Sequence, residues 1–109
     1  MSQTEAEPRR VLVVAGSEGE RVLELARRLP ADGLMICIDG DRAAAARATD
    51  SFAREGVAAR VNVMIGDPLL LLRKVAGPFD LIVTPGGSQS RLARQLESKL
   101  APGGRILDL

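Results

Sequence analysis

The length, composition and charge of the chain exclude several classes of function. It has 109 residues, 46% of them hydrophobic, which suffices for one modest core. Fifteen Lys and Arg residues against 14 Asp and Glu give a formal net charge of +1, so no field favours nucleic acid or an anionic membrane as partner. The chain has no His, Trp or Tyr, which excludes His-based catalytic triads and argues against aromatic platforms for single-stranded nucleic acid.

The single cysteine and the polar amino terminus bear on the cellular compartment. Cys37 has no partner within the chain for a disulfide, and no run of about 18 apolar residues that could span a membrane occurs. We therefore expect a cytoplasmic protein that is neither secreted nor inserted in a membrane. We also expect residues 1–9 to form a flexible tail and residues 10–109 to form one domain.

In chain order, short apolar runs alternate with segments of helical periodicity. The runs typical of buried strands are Val11–Val14, Leu34–Ile38, Val61–Ile65, Phe79–Val83 and Arg105–Leu109. The predicted helices are Glu18–Leu29, Asp41–Glu55, Leu69–Val75 and Ser88–Leu100, and Pro102-Gly103-Gly104 is predicted to be a turn. This alternation predicts an α/β fold, a doubly wound sheet of about five parallel strands with helices on both faces.

In such a sheet, ligands bind beyond the carboxyl ends of the strands. The first of these ends is followed by Ala15-Gly16-Ser17-Glu18-Gly19, where small side chains allow backbone N–H groups to approach a ligand at a helix N-terminus. The alternative is a tight strand-to-helix turn that needs small residues only for packing.

Carboxylates follow the second and third strands. Asp39 lies roughly 20 residues beyond the first loop, where a carboxylate can accept hydrogen bonds from both hydroxyls of a ribose. Gly66-Asp67 follows the third strand, and the carboxylate there could accept a hydrogen bond from an exocyclic amine such as that of adenine. The alternative role for an Asp in these segments is to cap the helix that follows. Capping is favoured for Asp41, less favoured for Asp39, and as plausible as ligand binding for Asp67.

Taken together, these segments resemble the class I S-adenosylmethionine-dependent methyltransferases, and among them the small-molecule O-methyltransferases of the caffeoyl-CoA type. The matching segments are Val11-Leu12 with the loop that follows, Ile38-Asp39, Arg60–Val63 with Gly66-Asp67, Gly77–Ile82 and Leu100–Gly104. The resemblance implies a Rossmann-like domain that binds S-adenosylmethionine and methylates a small molecule. It implies that Asp39 holds the ribose and Gly66-Asp67 the adenine, and that the methionine part lies against Ala15, Gly16, Ser17 and Gly19.

The first loop departs from the family pattern. The family's acidic residue in the first strand is Val13 here, and two of its three glycines are Ala15 and Ser17, whereas Gly19 matches. The added Cβ atoms and the lost acid imply weakened cofactor binding.

After the fourth strand the sequence reads Thr84-Pro85-Gly86-Gly87, where the metal-dependent branch of the family has an Asp. We therefore expect no metal ion. The stretch resembles the precorrin and isoaspartyl methyltransferase branches, which makes Thr84, Gly86 and Gly87 candidates for the substrate side. The alternative is a Gly-rich turn in which Ser88 caps the next helix.

The catalytic residue stays unassigned, because Lys74 and Lys99 are expected to be solvated on helices. The family continues with two strands beyond the fifth, so Arg105–Leu109 is expected to be an exposed edge covered in a homodimer.

Two other functions are weighed against methyl transfer. The altered first loop is consistent with a non-catalytic module for binding or dimerisation. Gly16, Gly19 and Asp39 are consistent with a nicotinamide-nucleotide binder, but that function leaves the motifs after the third and fourth strands unexplained.

Overall fold

A five-stranded sheet with helices on both faces contains most of the residues that this computed structural model describes, which are 7–15, 19–84 and 92–108. The strands are β1 (Arg10–Val14), β2 (Leu34–Asp39), β3 (Val61–Ile65), β4 (Phe79–Thr84) and β5 (Leu100–Asp108). The helices are α1 (Glu20–Arg27), α2 (Arg42–Arg54), α3 (Pro68–Leu71) and α4 (Ala93–Glu97), with 3-10 turns at Ala58–Arg60 and Leu72–Lys74. Among these residues, no helix is both long and apolar enough to cross a membrane.

The strands are all parallel and lie in the order β3-β2-β1-β4-β5. The chain runs outward from β1 to β3 and then crosses back to β4, so the strand order reverses between β1 and β4. This reversal defines a doubly wound sheet and confirms the predicted fold class.

The core has one layer on each face of the sheet, because successive strand residues point to opposite faces. On one face, strand residues such as Val13 and Cys37 pack against α1 and α2 through Val22, Ala26 and Phe52. On the other face, Leu12 and Ile82 pack with Leu72, Val75 and Leu96 from the α3 and α4 side. The central strands are covered on both faces, which explains why they are apolar without alternation.

The fifth strand differs from its prediction. It begins at Leu100 rather than Arg105, and Pro102-Gly103-Gly104 lies within it, beside an irregular register between Phe79 and Leu81 of β4. Proline is tolerated there because β5 is the outermost strand on this side of the described sheet. Gly103 has φ +81°, a conformation that favours glycine, and a Cβ on Gly104 would lie 2.8 Å from the Phe79 carbonyl oxygen. Both glycines are therefore needed for the path of the strand, and they do not form a turn between two elements.

The prediction for Lys99 was also wrong. Lys99 follows α4 in a turn and is half-buried, and its Nζ donates a hydrogen bond of 2.6 Å to the carbonyl of Val75. Lys74 is exposed in a 3-10 turn. The predicted helix Ser88–Leu100 is observed as α4 alone, while residues 85–91 lie outside the described part of the chain.

Candidate functional site

The carboxyl ends of the five strands bring most of the described candidate residues to one edge of the sheet. In spatial order along this edge, the residues at or just after the strand ends are Asp67, Asp39, Ala15, Thr84 and Asp108. The reversal of strand order between β1 and β4 lies in the middle of this row, which is where open α/β sheets bind their ligands.

Asp39 is buried at this edge, with only 5% of its surface exposed. Its Oδ1 accepts a hydrogen bond of 2.9 Å from the backbone N–H of Asp41. The cap of α2 is Asp41 itself, whose carboxylate accepts from the N–H groups of Ala43 and Ala44. The alternative that Asp39 is the helix cap is therefore excluded, and its buried carboxylate belongs to the strand end.

Gly66-Asp67 lies directly beside Asp39. The N–H of Gly66 donates a hydrogen bond of 3.0 Å to the Asp39 carbonyl, which joins the two loops. A Cβ added to Gly40 would have the Gly66 carbonyl oxygen, 3.6 Å away, as its one neighbour within contact distance among the described residues. Gly66 itself is covered, because a Cβ there would lie 3.0 Å from Leu71 Cδ1, so the open side of this pair of loops among the described residues is at Gly40.

Asp67 caps α3, because its Oδ1 accepts a hydrogen bond of 3.0 Å from the N–H of Leu69. The capping alternative is thus confirmed for this residue. Asp67 remains exposed, and an ionised carboxylate has about four acceptor positions. Capping therefore does not prevent a second contact with a ligand.

Ala15 follows β1 with a left-handed backbone, φ +69°. Its N–H donates a hydrogen bond of 2.7 Å to the carbonyl of Ile38, which fixes it next to Asp39. Gly19 is the N-terminal cap residue of α1, and its carbonyl accepts from the N–H of Leu23. The other predicted members of this loop, Gly16 and Ser17, lie outside the described residues.

Thr84 and Asp108 form a pair at the ends of β4 and β5. Thr84 is buried, and its Oγ1 donates a hydrogen bond of 2.8 Å to Asp108 Oδ1. Sequence reasoning did not identify Asp108, although the parallel register that sets it opposite Thr84 could have indicated it. Gly86 and Gly87, the other predicted substrate-side residues, lie outside the described residues.

Cys37 lies two residues before Asp39 and is fully buried. Burial, and to a smaller degree the nearby Asp39 carboxylate, raise the pKa of its thiol from 9.0 to about 12. A thiol with this pKa stays protonated at neutral pH and cannot act there as a base or nucleophile.

A depression of about 460 Å³ lies at the opposite edge of the sheet. Its lining includes Arg9, Asp80, Gly103 and Arg105. Asp80 Oδ2 accepts hydrogen bonds of 2.9 and 3.0 Å from the N–H groups of Arg9 and Arg10, so this carboxylate fastens the amino end of β1. We assign the candidate site to the carboxyl edge despite the volume of this depression, because ligands of open parallel sheets bind at the carboxyl edge.

Comparisons with known proteins identify a matching family and similar folds. The family model of the O-methyltransferases matches residues 5–90. The O-methyltransferase TomG from Streptomyces achromogenes, solved in complex with S-adenosylmethionine, is 26% identical, with a TM-score of 0.85 over 94% of this chain and 48% of TomG. The cofactor-bound Rv0187 from MTB is 28% identical, with a TM-score of 0.84 over 94% of this chain and 48% of Rv0187.

A further solved structure extends the likeness to the precorrin enzymes. Precorrin 8W decarboxylase from Methanobacterium thermoautotrophicum is 33% identical, with a TM-score of 0.76 over 94% of this chain and 56% of that protein. No curated protein matches the chain. The chain spans about half the length of the solved structures named here. The family match, which covers most of the chain and is supported by these folds, shows that the chain belongs to the O-methyltransferase family.

Proposed function

We propose that this chain binds S-adenosylmethionine and forms the cofactor-binding part of a methyltransferase that acts on an oxygen of a small molecule. The observation that carries the proposal is the hydrogen-bonded pair of loops that brings Asp39 and Asp67 together at the carboxyl edge of the sheet. Membership in the O-methyltransferase family and the bound S-adenosylmethionine of TomG support it.

The described residues fit the adenosine end of this cofactor. A buried carboxylate such as Asp39 can accept hydrogen bonds from ribose hydroxyls, while Gly40 leaves room for the adenine ring next to the Gly66-Asp67 loop. We assign the methionine part to the end of β1, at Ala15 and Gly19, together with Gly16 and Ser17, which lie outside the described residues.

The acceptor belongs on the other side of β1, at Thr84 and Asp108, with Gly86 and Gly87 next in sequence after β4. S-adenosylmethionine supplies a methyl group carried on a sulfonium. Transfer of that group is a direct displacement, so the chain contributes mainly by fixing the acceptor oxygen in line with it. Thr84 holds the Asp108 carboxylate in one orientation at this position. We propose that the reaction needs no metal ion, because Thr84 and Pro85 stand where the metal-dependent branch has an Asp.

Isothermal titration calorimetry with S-adenosylmethionine and S-adenosylhomocysteine tests the proposal, since the chain has no Trp or Tyr for fluorescence. Asp39→Asn keeps an oxygen that can accept from the Asp41 N–H but removes the charge. We expect it to weaken binding at least about tenfold, the loss of roughly one charged hydrogen bond. The exposed Asp50→Asn on α2 is the matched control and should bind like the wild type. Absence of binding heat at millimolar ligand, or equal affinity of Asp39→Asn and wild type, would contradict these assignments.

We further propose that residues 10–109 act as one cytoplasmic domain that forms homodimers. Of the predicted flexible tail, residues 1–9, residues 1–6 lie outside the described part of the chain, and the Arg9 N–H is held by Asp80. The outer side of β5 supports the dimer, because β5 is the last strand on one side of the described sheet. Strand edges present unpaired backbone groups, which proteins usually cover or pair.

A further inference from the structure

The depression at the amino edge of the sheet has no part in the proposed cofactor site. Its volume of about 460 Å³ lies within the range of about 300–1,000 Å³ that is typical of small-molecule sites. The strand order β1-β4-β5 sets its sides. The segment Glu7–Arg9 before β1 lies on one side, Gly103 and Arg105 of β5 lie on the other, and Asp80 and Leu81 of β4 lie between them.

An irregularity in β5 forms one side of this depression. The chain advances five residues from Leu100 to Arg105 in β5, but only two from Phe79 to Leu81 in the facing part of β4. Extra residues of this kind bend a strand and redirect the side chain that follows them. Arg105 is the first residue of β5 that is again in register with β4, and it lines the depression.

The charged groups on the two sides are not equally engaged within the fold. The guanidinium of Arg9 forms an ion pair of 2.8 Å with Asp32. Arg105, in contrast, is exposed and forms no hydrogen bond or ion pair with another described residue. On the opposite side, the Glu7 carboxylate lies 4.0 Å from the Arg28 guanidinium, at the outer limit of an ion pair. The depression therefore has an uncompensated cation on one side and a weakly compensated anion on the other.

Asp80 lies between these two charges. Its Oδ2 accepts hydrogen bonds of 2.9 and 3.0 Å from two backbone N–H groups at the start of β1, which leaves acceptor positions on an ionised carboxylate unused. Pro8 and the buried Leu81 contribute apolar surface beside it. A ligand here meets carboxylates on one side, a guanidinium on the other and an apolar floor.

We propose that this depression binds a small zwitterion of the amino-acid type with an apolar side chain. Its carboxylate lies at Arg105, because a guanidinium can donate two parallel hydrogen bonds to a carboxylate. Its ammonium lies at Glu7 and Asp80. A ligand with a single charge would leave the group of opposite sign without a partner. The site lies at the opposite edge from the proposed cofactor contacts, so the inference does not depend on the proposed function.

Nuclear magnetic resonance titrations of the wild type test the charge requirement with three ligands that have the same branched carbon skeleton. L-leucine has both charges, isocaproate lacks the ammonium, and isoamylamine lacks the carboxylate. We expect leucine to shift the amide signals of Leu81 and Gly103 saturably. It should bind at least about tenfold more tightly than either of the other two, because each of them loses one charged contact.

Variants then assign each charge to its side. Arg105→Gln should weaken leucine to about the affinity of isoamylamine and leave isoamylamine unchanged. Glu7→Gln should weaken leucine and isoamylamine and leave isocaproate unchanged. Arg73→Gln, in an exposed 3-10 turn outside the lining, is the matched control and should bind all three ligands like the wild type.

The outcomes are independent of the cofactor site. Absence of saturable shifts with leucine, or equal affinities of the wild type for the three ligands, would overturn the inference without any variant. Equal affinity of Arg105→Gln and the wild type for leucine would overturn the assignment of the carboxylate to Arg105. Calorimetry with S-adenosylmethionine should give the same affinity for Arg105→Gln and the wild type, so failure of one site can be told from failure of the other.

Discussion

At the scale of single residues, the left-handed backbone of Ala15 predicts that a glycine there stabilises the fold. Relief of the Cβ strain is worth about 1–2 kcal/mol, and the greater freedom of glycine in the unfolded chain takes back about 0.4–1 kcal/mol. We therefore expect Ala15→Gly to raise the free energy of unfolding by up to about 1.5 kcal/mol, measured by urea denaturation followed by far-ultraviolet circular dichroism.

Ala46→Gly, at an exposed position of α2, is the control for this measurement. In the exposed middle of α2 the same change should lower stability by about 1 kcal/mol, because glycine is a poor helix former. A loss of stability in both variants would show that Ala15 is not strained.

The buried thiol of Cys37 predicts a pH dependence of stability. Its pKa is about 12 in the folded chain and 9.0 in an unfolded one, so the unfolded chain loses this proton first. The contribution of the thiol is fully present below pH 9 and is lost as the pH rises toward 12. Between pH 8 and pH 10.5 we expect it to cost the wild type about 2 kcal/mol of unfolding free energy.

Cys37→Ala should lack this component, because it has no thiol to ionise. We compare the change in unfolding free energy from pH 8 to pH 10.5 in the two proteins. The contribution of Lys ionisation to this change is common to both proteins and cancels in the comparison. Equal changes would mean that the thiol of Cys37 ionises alike in the folded and unfolded states.

The residues that could be predicted from the sequence are those whose type matches a position in the fold. Asp39, Gly66 and Asp67 follow apolar strands, so their place at the carboxyl edge was predictable, and the structure brings them together. The left-handed backbone of Ala15 was not predictable, because an alanine gives no local sign of it. Asp108 was missed because its contact with Thr84 depends on the register of two strands that are distant in sequence.

At the scale of elements, the start of α2 predicts a clear loss on removal of its cap. Asp41 accepts hydrogen bonds of 2.9 and 3.2 Å from the N–H groups of Ala43 and Ala44. Asp41→Ala should therefore cost about 0.5–2 kcal/mol of unfolding free energy by urea denaturation. Asp50→Ala, on the exposed face of the same helix, should cost nothing or improve stability slightly, because alanine is the better helix former. Equal effects of the two changes would contradict the capping role.

The bounds of the central strands β1, β2 and β4 were predicted to within one residue. A short apolar run that is buried on both faces of a sheet is a distinctive pattern in the sequence. The edge strand β5 was predicted five residues too late, since Pro102, Gly103 and Gly104 are typical of turns. What decides their conformation is pairing with β4, where Phe79 lies opposite Leu100 and its N–H donates to the Lys99 carbonyl. That pairing is tertiary and leaves no local pattern.

At the scale of the whole molecule, the outer edge of β5 predicts self-association. Light scattering from micromolar to high micromolar concentration should give twice the mass of the 109-residue chain. Hydrogen exchange should show those amides of Arg105–Leu107 that face away from β4 becoming more protected as concentration rises, because a strand added at this edge would pair with them. A monomer throughout this range, with exchange independent of concentration, would remove the proposal.

The hydrogen bonds that hold the amino ends of β1 and β4 lie away from the candidate ligand contacts. There, Asp80 holds the backbone of Arg9 and Arg10, while the Arg10 and Lys99 side chains donate to carbonyls of the segment before β4. The candidate ligand contacts lie at the other end of the strands. Substitutions that alter recognition are thus physically separate from those that hold the sheet in register. A library that varies the proposed ligand contacts and keeps the capping residues Asp41 and Asp67 would leave the contacts of the amino edge intact, which makes the carboxyl edge the place to begin directed evolution.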